Sequence, residues 1–245
     1  MTVEDLRIVT PLGVWFWDSV TDAPVTDPLR VLAHPLDVPG EPAIATTTPS
    51  GVRAFTGLPG LHRIEYPAGT EDPLGAPATS GTFAVTVDDP SGRFLPATIE
   101  LTAPHKGLAG LSNGRIYLFS APTRRFAAAV AVARAQVAPH ARVDVLAGGR
   151  RWAGIATEDG AVAIGFPYPA FSGTPSPSPP PGTGGTPPAL QVWTLTVELR
   201  QDPGALVFPL PGRPPELASI LGQPLVETFV AELHFGAELV LDTSP

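Results

Sequence analysis

Proline occurs 32 times and glycine 25 times in a chain of 245 residues. Proline has no backbone N–H to donate and its ring crowds the preceding helical turn. Helices of ordinary length cannot survive at this density. What remains is a chain of short strands punctuated by turns. Residues 142–168, reading RVDVLAGGRRWAGIATEDGAVAIGFPY, show the pattern most clearly. Val143 and Val145 begin one apolar run, Gly148-Gly149 breaks it, and a second run reaches Thr157. Glu158-Asp159-Gly160 then turns the chain into a third run through Ile164. An Asp-Gly pair between apolar runs is a strong hairpin signal, because glycine takes the positive φ that the turn needs.

A weaker copy lies at residues 29–59, where Thr48-Pro49-Ser50-Gly51 stands in for Thr157-Glu158-Asp159-Gly160. In both, a short strand precedes, an apolar strand follows, and a proline closes (Pro59, Pro167). In both, an alternating strand further on ends in Asp-Pro (FAVTVDDP, LTVELRQDP). Ordered matches of this kind point to a duplication. The expected fold is all-β: two tandem antiparallel β-sandwich modules with Pro-rich loops and a C-terminal arm. Module one takes residues 1–122. Module two takes 123–212, with an inserted Pro-rich loop at 170–189. The arm takes 213–245.

Within module one, the run LGVWFWD at 12–18 is apolar on both faces, with Trp15 and Trp17 on one and Val14 and Phe16 on the other. That suits a central strand covered on both sides. The segment 61–66 reads as a further strand. The Ala-rich run at 127–137 has helix propensity, but its valines alternate, so strand is the assignment. Residues 1–10 read as an extended lead-in and 67–81 as a polar loop. In the arm, Phe229, Ala231, Leu233, Phe235, Ala237, Leu239 and Leu241 fall on one strand face. As a single straight strand they would span about 40 Å, with Gly236 the place for a bend.

Composition removes several function classes. The net charge is -8 and no basic run exists, so neither nucleic acid nor an anionic membrane is an expected partner. No apolar run is long enough to span a bilayer as a helix. Cysteine is absent, which excludes disulfides and thiolate metal sites. The first residues, MTVEDLRIVTPLG, lack a basic and then apolar leader, so the expected location is cytoplasmic, alone or within an assembled or released particle. Charged residues make up 16%, below the usual level of about 25%, which fits a surface that touches other protein.

No catalytic constellation emerges. G-x-S-x-G and H-E-x-x-H are absent, and His34, His62, His105, His140 and His234 are scattered. The carboxylates at 88–89 and 18–27 sit in turn sequences without a calcium-loop pattern. Gly148-Gly149-Arg150-Arg151 is not a phosphate loop, since no helix follows; it reads as a hairpin tip with a solvated charge pair. No catalytic residue, cofactor or metal ligand is therefore assigned.

The pattern of an apolar V-x-V strand, a T-x-D-G hairpin, an apolar strand and a proline resembles the transthyretin-like and carboxypeptidase-regulatory-like β-sandwich modules. Those are structural and binding modules. Across the whole chain, LGVWFWDSVTDAPVTD, TPSGVRAFTGLPGL, DDPSGRFLPATIEL and WAGIATEDGAVAIGFPYP resemble bacterial proteins of phage-tail-like contractile injection clusters. The resemblance implies a non-enzymatic structural or adaptor subunit whose partners are other subunits of an assembly. The protein-binding candidates are Phe229, Leu233, Phe235, Leu239 and Leu241 of the arm, with Trp15 and Trp17. The 229–241 run is either an ordinary edge strand that completes module two or an exported arm that would add to a neighbouring subunit or self-associate. The alternative is a carbohydrate- or surface-binding module using Trp15, Trp17, Trp152 or Trp193. Exposure of those tryptophans separates the two readings.

Overall fold

The computed structural model describes residues 8–67, 74, 79–111, 114–171 and 188–241. The expected lead-in at 1–7, most of the 67–81 loop and the Pro-rich tract at 172–187 lie outside the described residues. Strands β1 (Leu12–Val14), β2 (Phe16–Asp18), β3 (Arg30–Pro35), β4 (Ala43–Ile44), β5 (Thr46–Thr47) and β6 (Arg53–Phe55) come first. Helix α1 (His62–Glu65) follows, then β7 (Gly81–Asp88), β8 (Ala97–Ala103), β9 (Leu108–Ala109) and β10 (Ile116–Leu118). The second half holds β11 (Val130–Gln136), β12 (Arg142–Ala147), β13 (Arg150–Ile155), β14 (Ala161–Pro167) and β15 (Val192–Arg200). Helix α2 (Leu217–Leu221), β16 (Leu225–His234) and β17 (Leu239–Leu241) end it. The chain is all-β, with sheets that are mostly antiparallel.

The two halves share one strand order. In the first, a sheet runs β4-β3-β7-β8; in the second, the matching sheet runs β13-β12-β15-β16. The facing layer of the first half pairs β6 antiparallel with β1, and β2 parallel with β10. The facing layer of the second pairs β14 antiparallel with β11, and β11 parallel with β17. Each half encloses its own apolar cluster, one built around Phe16, Phe55 and Phe83, the other around Val145, Phe166 and Leu195.

The aligned hairpins are also equivalent in detail. Thr48 N–H donates to the Val52 carbonyl, and Thr157 N–H to the Ala161 carbonyl, both at 2.9 Å. Thr48 Oγ1 accepts from Val52 N–H at 3.1 Å, and Thr157 Oγ1 from Ala161 N–H at 3.0 Å. Gly51 and Gly160 share the left-handed region, with φ of 84° and 86°. The threonine hydroxyl caps its own turn, which is why threonine and glycine recur at this spacing.

Two local expectations are corrected and a third is met. Residues 62–65 form a helix, because a Pro59-Gly60 turn feeds them and the buried Glu65 carboxylate accepts Leu58 N–H at 3.0 Å. The 12–18 run is two strands rather than one: Trp15 N–H donates to Ala109, and the chain switches partners from β6 and β9 to β10. The 229–241 run bends at Gly236, where a bend was expected. Gly236, at φ 76°, ends β16, and β17 crosses to the other sheet. Strand pairing runs across residue 212: β16 lies antiparallel along β15 from Val192↔His234 to Arg200↔Leu225. The segment expected as an arm thus supplies two strands of the second sandwich.

Candidate functional site: an open sheet edge

The strands at the C-terminal edge of the two repeats are treated differently. In the first repeat, β8 ends its sheet, and residues 207–221 cover that edge. Thr98 bridges Glu216 in parallel, and Glu216 N–H donates to Val207 at 2.7 Å to hold the covering segment in place. Leu217 and Ile220 of α2 sink into the first apolar cluster. In the second repeat, β16 ends the equivalent sheet, and no strand among the described residues pairs with its outer side. β17 ends the facing sheet on the same side. A ten-residue strand is long for an unprotected edge.

The side chains follow the strand period. Leu233, Leu239 and Leu241 are buried in the second cluster, and Phe229 and Phe235 are half-buried against it. These five residues, expected to bind a partner, face the chain's own core. The opposite parity carries the exposed apolar groups: Val230 is 66% exposed and Val240 76%, with Leu225 and Val226 also open. Glu232 and His234 share that exposed side. The strand pattern at 229–241 was readable, but which of its faces met the core depended on the partner sheet.

Trp15 and Trp17 do not form a platform. Trp17 is buried and donates its indole N–H to the Gly110 carbonyl at 3.0 Å, and Trp15 is half-buried with its ring 5.7 Å from Trp17. Trp152 and Trp193 are buried as well, the latter donating to Ala170 at 3.1 Å.

The arginines of the Gly-Gly-Arg-Arg hairpin are paired. Gly148 and Gly149 take φ of 58° and 74°, the type I′ turn that joins β12 to β13. Arg150 reaches Asp22 of the first repeat at 3.0 Å, and Arg151 reaches Asp144 at 2.8 Å and Glu198. Both side chains stay solvent-exposed, as expected of a hairpin tip, and each is ion-paired as well. Asp144 is fully buried beneath Arg142, Arg151 and Arg200. Asp18 is buried too, held by both terminal nitrogens of Arg124 at 2.9 and 2.7 Å. Burial alone would raise the Asp18 pKa, but the hydrogen bonds from Arg124 and Val20 outweigh it and hold the carboxyl below its usual range. Sequence reading missed both clusters, since their members are spread over tens of residues.

Among the described residues no group of three or more His, Asp or Glu side chains is placed to hold a metal ion. Among the described residues no helix is long and apolar enough to cross a membrane.

No family model matches the chain, and no curated protein matches it. Among solved structures, the TIE protein of Bacillus anthracis aligns with 95% of this chain at 11% identity and a TM-score of 0.26. The chain spans about a third of that protein's length, 33%. An adhesin candidate from Bacteroides ovatus aligns with 100% of this chain and 95% of its own, at 10% identity and a TM-score of 0.22.

Proposed function

We propose that this chain is a non-enzymatic structural or adaptor protein that binds a protein partner by strand addition at the β16–β17 edge. One observation carries the reading: the chain covers the equivalent edge of its first repeat with its own residues 207–221, and among the described residues nothing pairs with that of the second. Main-chain groups along a free edge give affinity, and neighbouring apolar side chains give selectivity. Val226, Val230 and Val240 supply the latter. The finer identity, tandem transthyretin-like modules serving as a component of a contractile, phage-tail-like particle, belongs to the same proposal and rests on the whole-chain resemblance. A sugar platform has no support from the tryptophans, none of which is exposed.

The test is co-purification from the native host with wild-type chain and with a Val230→Lys, Val240→Lys double variant. Both sites are open, so stability should change by no more than about 0.5 kcal/mol for each. Partners present with wild type and lost with the variant support the edge. Partners retained equally by both overturn it. Sheath or tube proteins among those lost support the particle assignment; their absence overturns that assignment alone.

A further inference from the structure

The pairing of β16 with β15 fixes which way its backbone groups point. Phe235 N–H donates to the Gln191 carbonyl at 3.1 Å, one step beyond the Val192↔His234 pair. Along an antiparallel ladder, residues that aim their N–H and C=O at the neighbour alternate with residues that aim them away. Leu233, Ala231 and Phe229 therefore aim theirs at β15. His234, Glu232, Val230 and Thr228 aim theirs at the open side. The register is unbroken over this stretch, since the irregularity lies further on, at Leu199/Arg200. The same four residues carry the exposed side chains. The core is open on this flank too, where Phe229 and Ala231 are only partly buried against the second cluster.

The residues about Val230 complement themselves. Thr228 and Glu232 stand two places to either side of it, a hydroxyl that donates and a carboxylate that accepts. We propose that β16 pairs antiparallel with β16 of a second copy of this chain, about a twofold axis at Val230, joining two four-stranded sheets into one. The inference rests on the open-edge reading above and names the occupant of that edge. Valine meets valine at the axis. On both sides of it Thr228 falls opposite Glu232 of the second copy. Outward-aimed residues meet outward-aimed residues, so Thr228, Val230 and Glu232 each belong to a pair that exchanges two hydrogen bonds. On the core side Phe229 falls opposite Ala231, and the two Phe229 rings are diagonal neighbours within reach of each other. Moving the axis one place either way parts the Thr228–Glu232 pairs. Moving it toward Glu232 also brings the two Glu232 carboxylates together, first diagonally and then face to face, which like charges resist.

The test is sedimentation velocity of the full chain. One strand per copy makes a small interface, so a reversible monomer–dimer step is expected between about 1 and 100 μM. Val230→Pro removes an N–H on the open side and leaves the β15 ladder intact, so it should abolish the dimer with the urea midpoint near that of wild type. Thr228→Glu sets a second carboxylate opposite Glu232 on both sides of the axis and should weaken the dimer roughly tenfold. Adding Glu232→Lys makes those pairs attractive and should recover it, a reversal that a foreign strand at this edge has no reason to follow. Should Val230→Pro fail to fold, the two substitutions on the exposed face give the readout alone. A monomer at every concentration overturns the self-pairing, while the co-purification with Val230→Lys, Val240→Lys decides the open-edge reading separately. A dimer that neither Val230→Pro nor Thr228→Glu weakens forms elsewhere and overturns the proposal equally. A dimer weakened by Thr228→Glu but not recovered by Glu232→Lys overturns the register at Val230.

Discussion

Single residues in this chain do their structural work through what surrounds them, and paired positions make that measurable. A Cβ at Gly160 would overlap the Val137 carbonyl oxygen, whereas one at Gly149 would meet nothing within 4 Å. Both have positive φ. Gly149→Ala should therefore cost about 1 kcal/mol for backbone strain alone. Gly160→Ala should cost clearly more, because backbone must move as well. Urea denaturation of the two variants checks the order. Arg53 presents the opposite case. It is fully buried, donates one bond to the Asp27 carbonyl at 2.5 Å, and leaves Nε and one terminal nitrogen without partners. A buried cation so poorly compensated costs more than it returns, and burial lowers its pKa, with Asp27 working in the opposite direction. Arg53→Met should raise stability by about 1–4 kcal/mol. A lower midpoint in the same urea experiment would contradict this. Asp18→Ala should do the reverse, at about 3–5 kcal/mol, since it strands Arg124 in the interior.

At the scale of elements, β16 extends the second sandwich beyond β15, and β17 closes its facing sheet onto its first strand, β11. A chain ending at residue 222 would lose Leu233, Leu239 and Leu241 from the core and leave β15 paired on one side only, with β12. The second repeat should then digest rapidly under limited proteolysis while the first resists. Equal resistance of both repeats would show that the last strands are dispensable. The sequence made strands and turns legible where chemistry is local. Thr-x-x-Gly hairpins, the Gly148-Gly149 turn and the alternation in 192–199 all say what they are. It also made the duplication visible, because the same hairpin needs the same threonine and glycine twice. It did not reveal pairing. Whether 229–241 stands free or closes a sandwich depends on β15 and β11, and no local pattern encodes a contact across that distance. The split at Trp15 was hidden for the same reason, as it comes from a change of neighbour. The open edge was legible only as an apolar strand; its exposed parity emerged once the inward face had found a core.

Across the whole molecule, the repeats are tied by ion pairs as well as by apolar contact. Asp22 accepts from Tyr117 at 2.8 Å and from Arg115 in its own repeat, and from Arg150 of the other at 3.0 Å. Those hydrogen bonds pull its pKa down to about 2, from a reference of 3.8. A carboxyl depressed in the folded state contributes its full stability above the unfolded value and loses it as pH falls through the folded one. The melting temperature of wild type should exceed that of Asp22→Asn at pH 5, and the gap should close between about pH 4 and pH 2. A gap that stays constant over that window would remove Asp22 from the junction's energetics. The parallel closure of first strand on last, β2 with β10 and β11 with β17, also has a consequence in time. During synthesis the first repeat has every strand of its sandwich once residue 118 has left the ribosome, yet its β8 edge stays bare until residues 207–221 arrive. The second repeat must hold β11 unpartnered on one side through more than a hundred residues, until 239–241 emerge. A nascent chain therefore carries two open edges at once from the emergence of β11 until residues 207–221 arrive, about a third of its elongation. The order of emergence decides which closes first: the β8 edge is sealed by chain already made before β17 can complete its sheet.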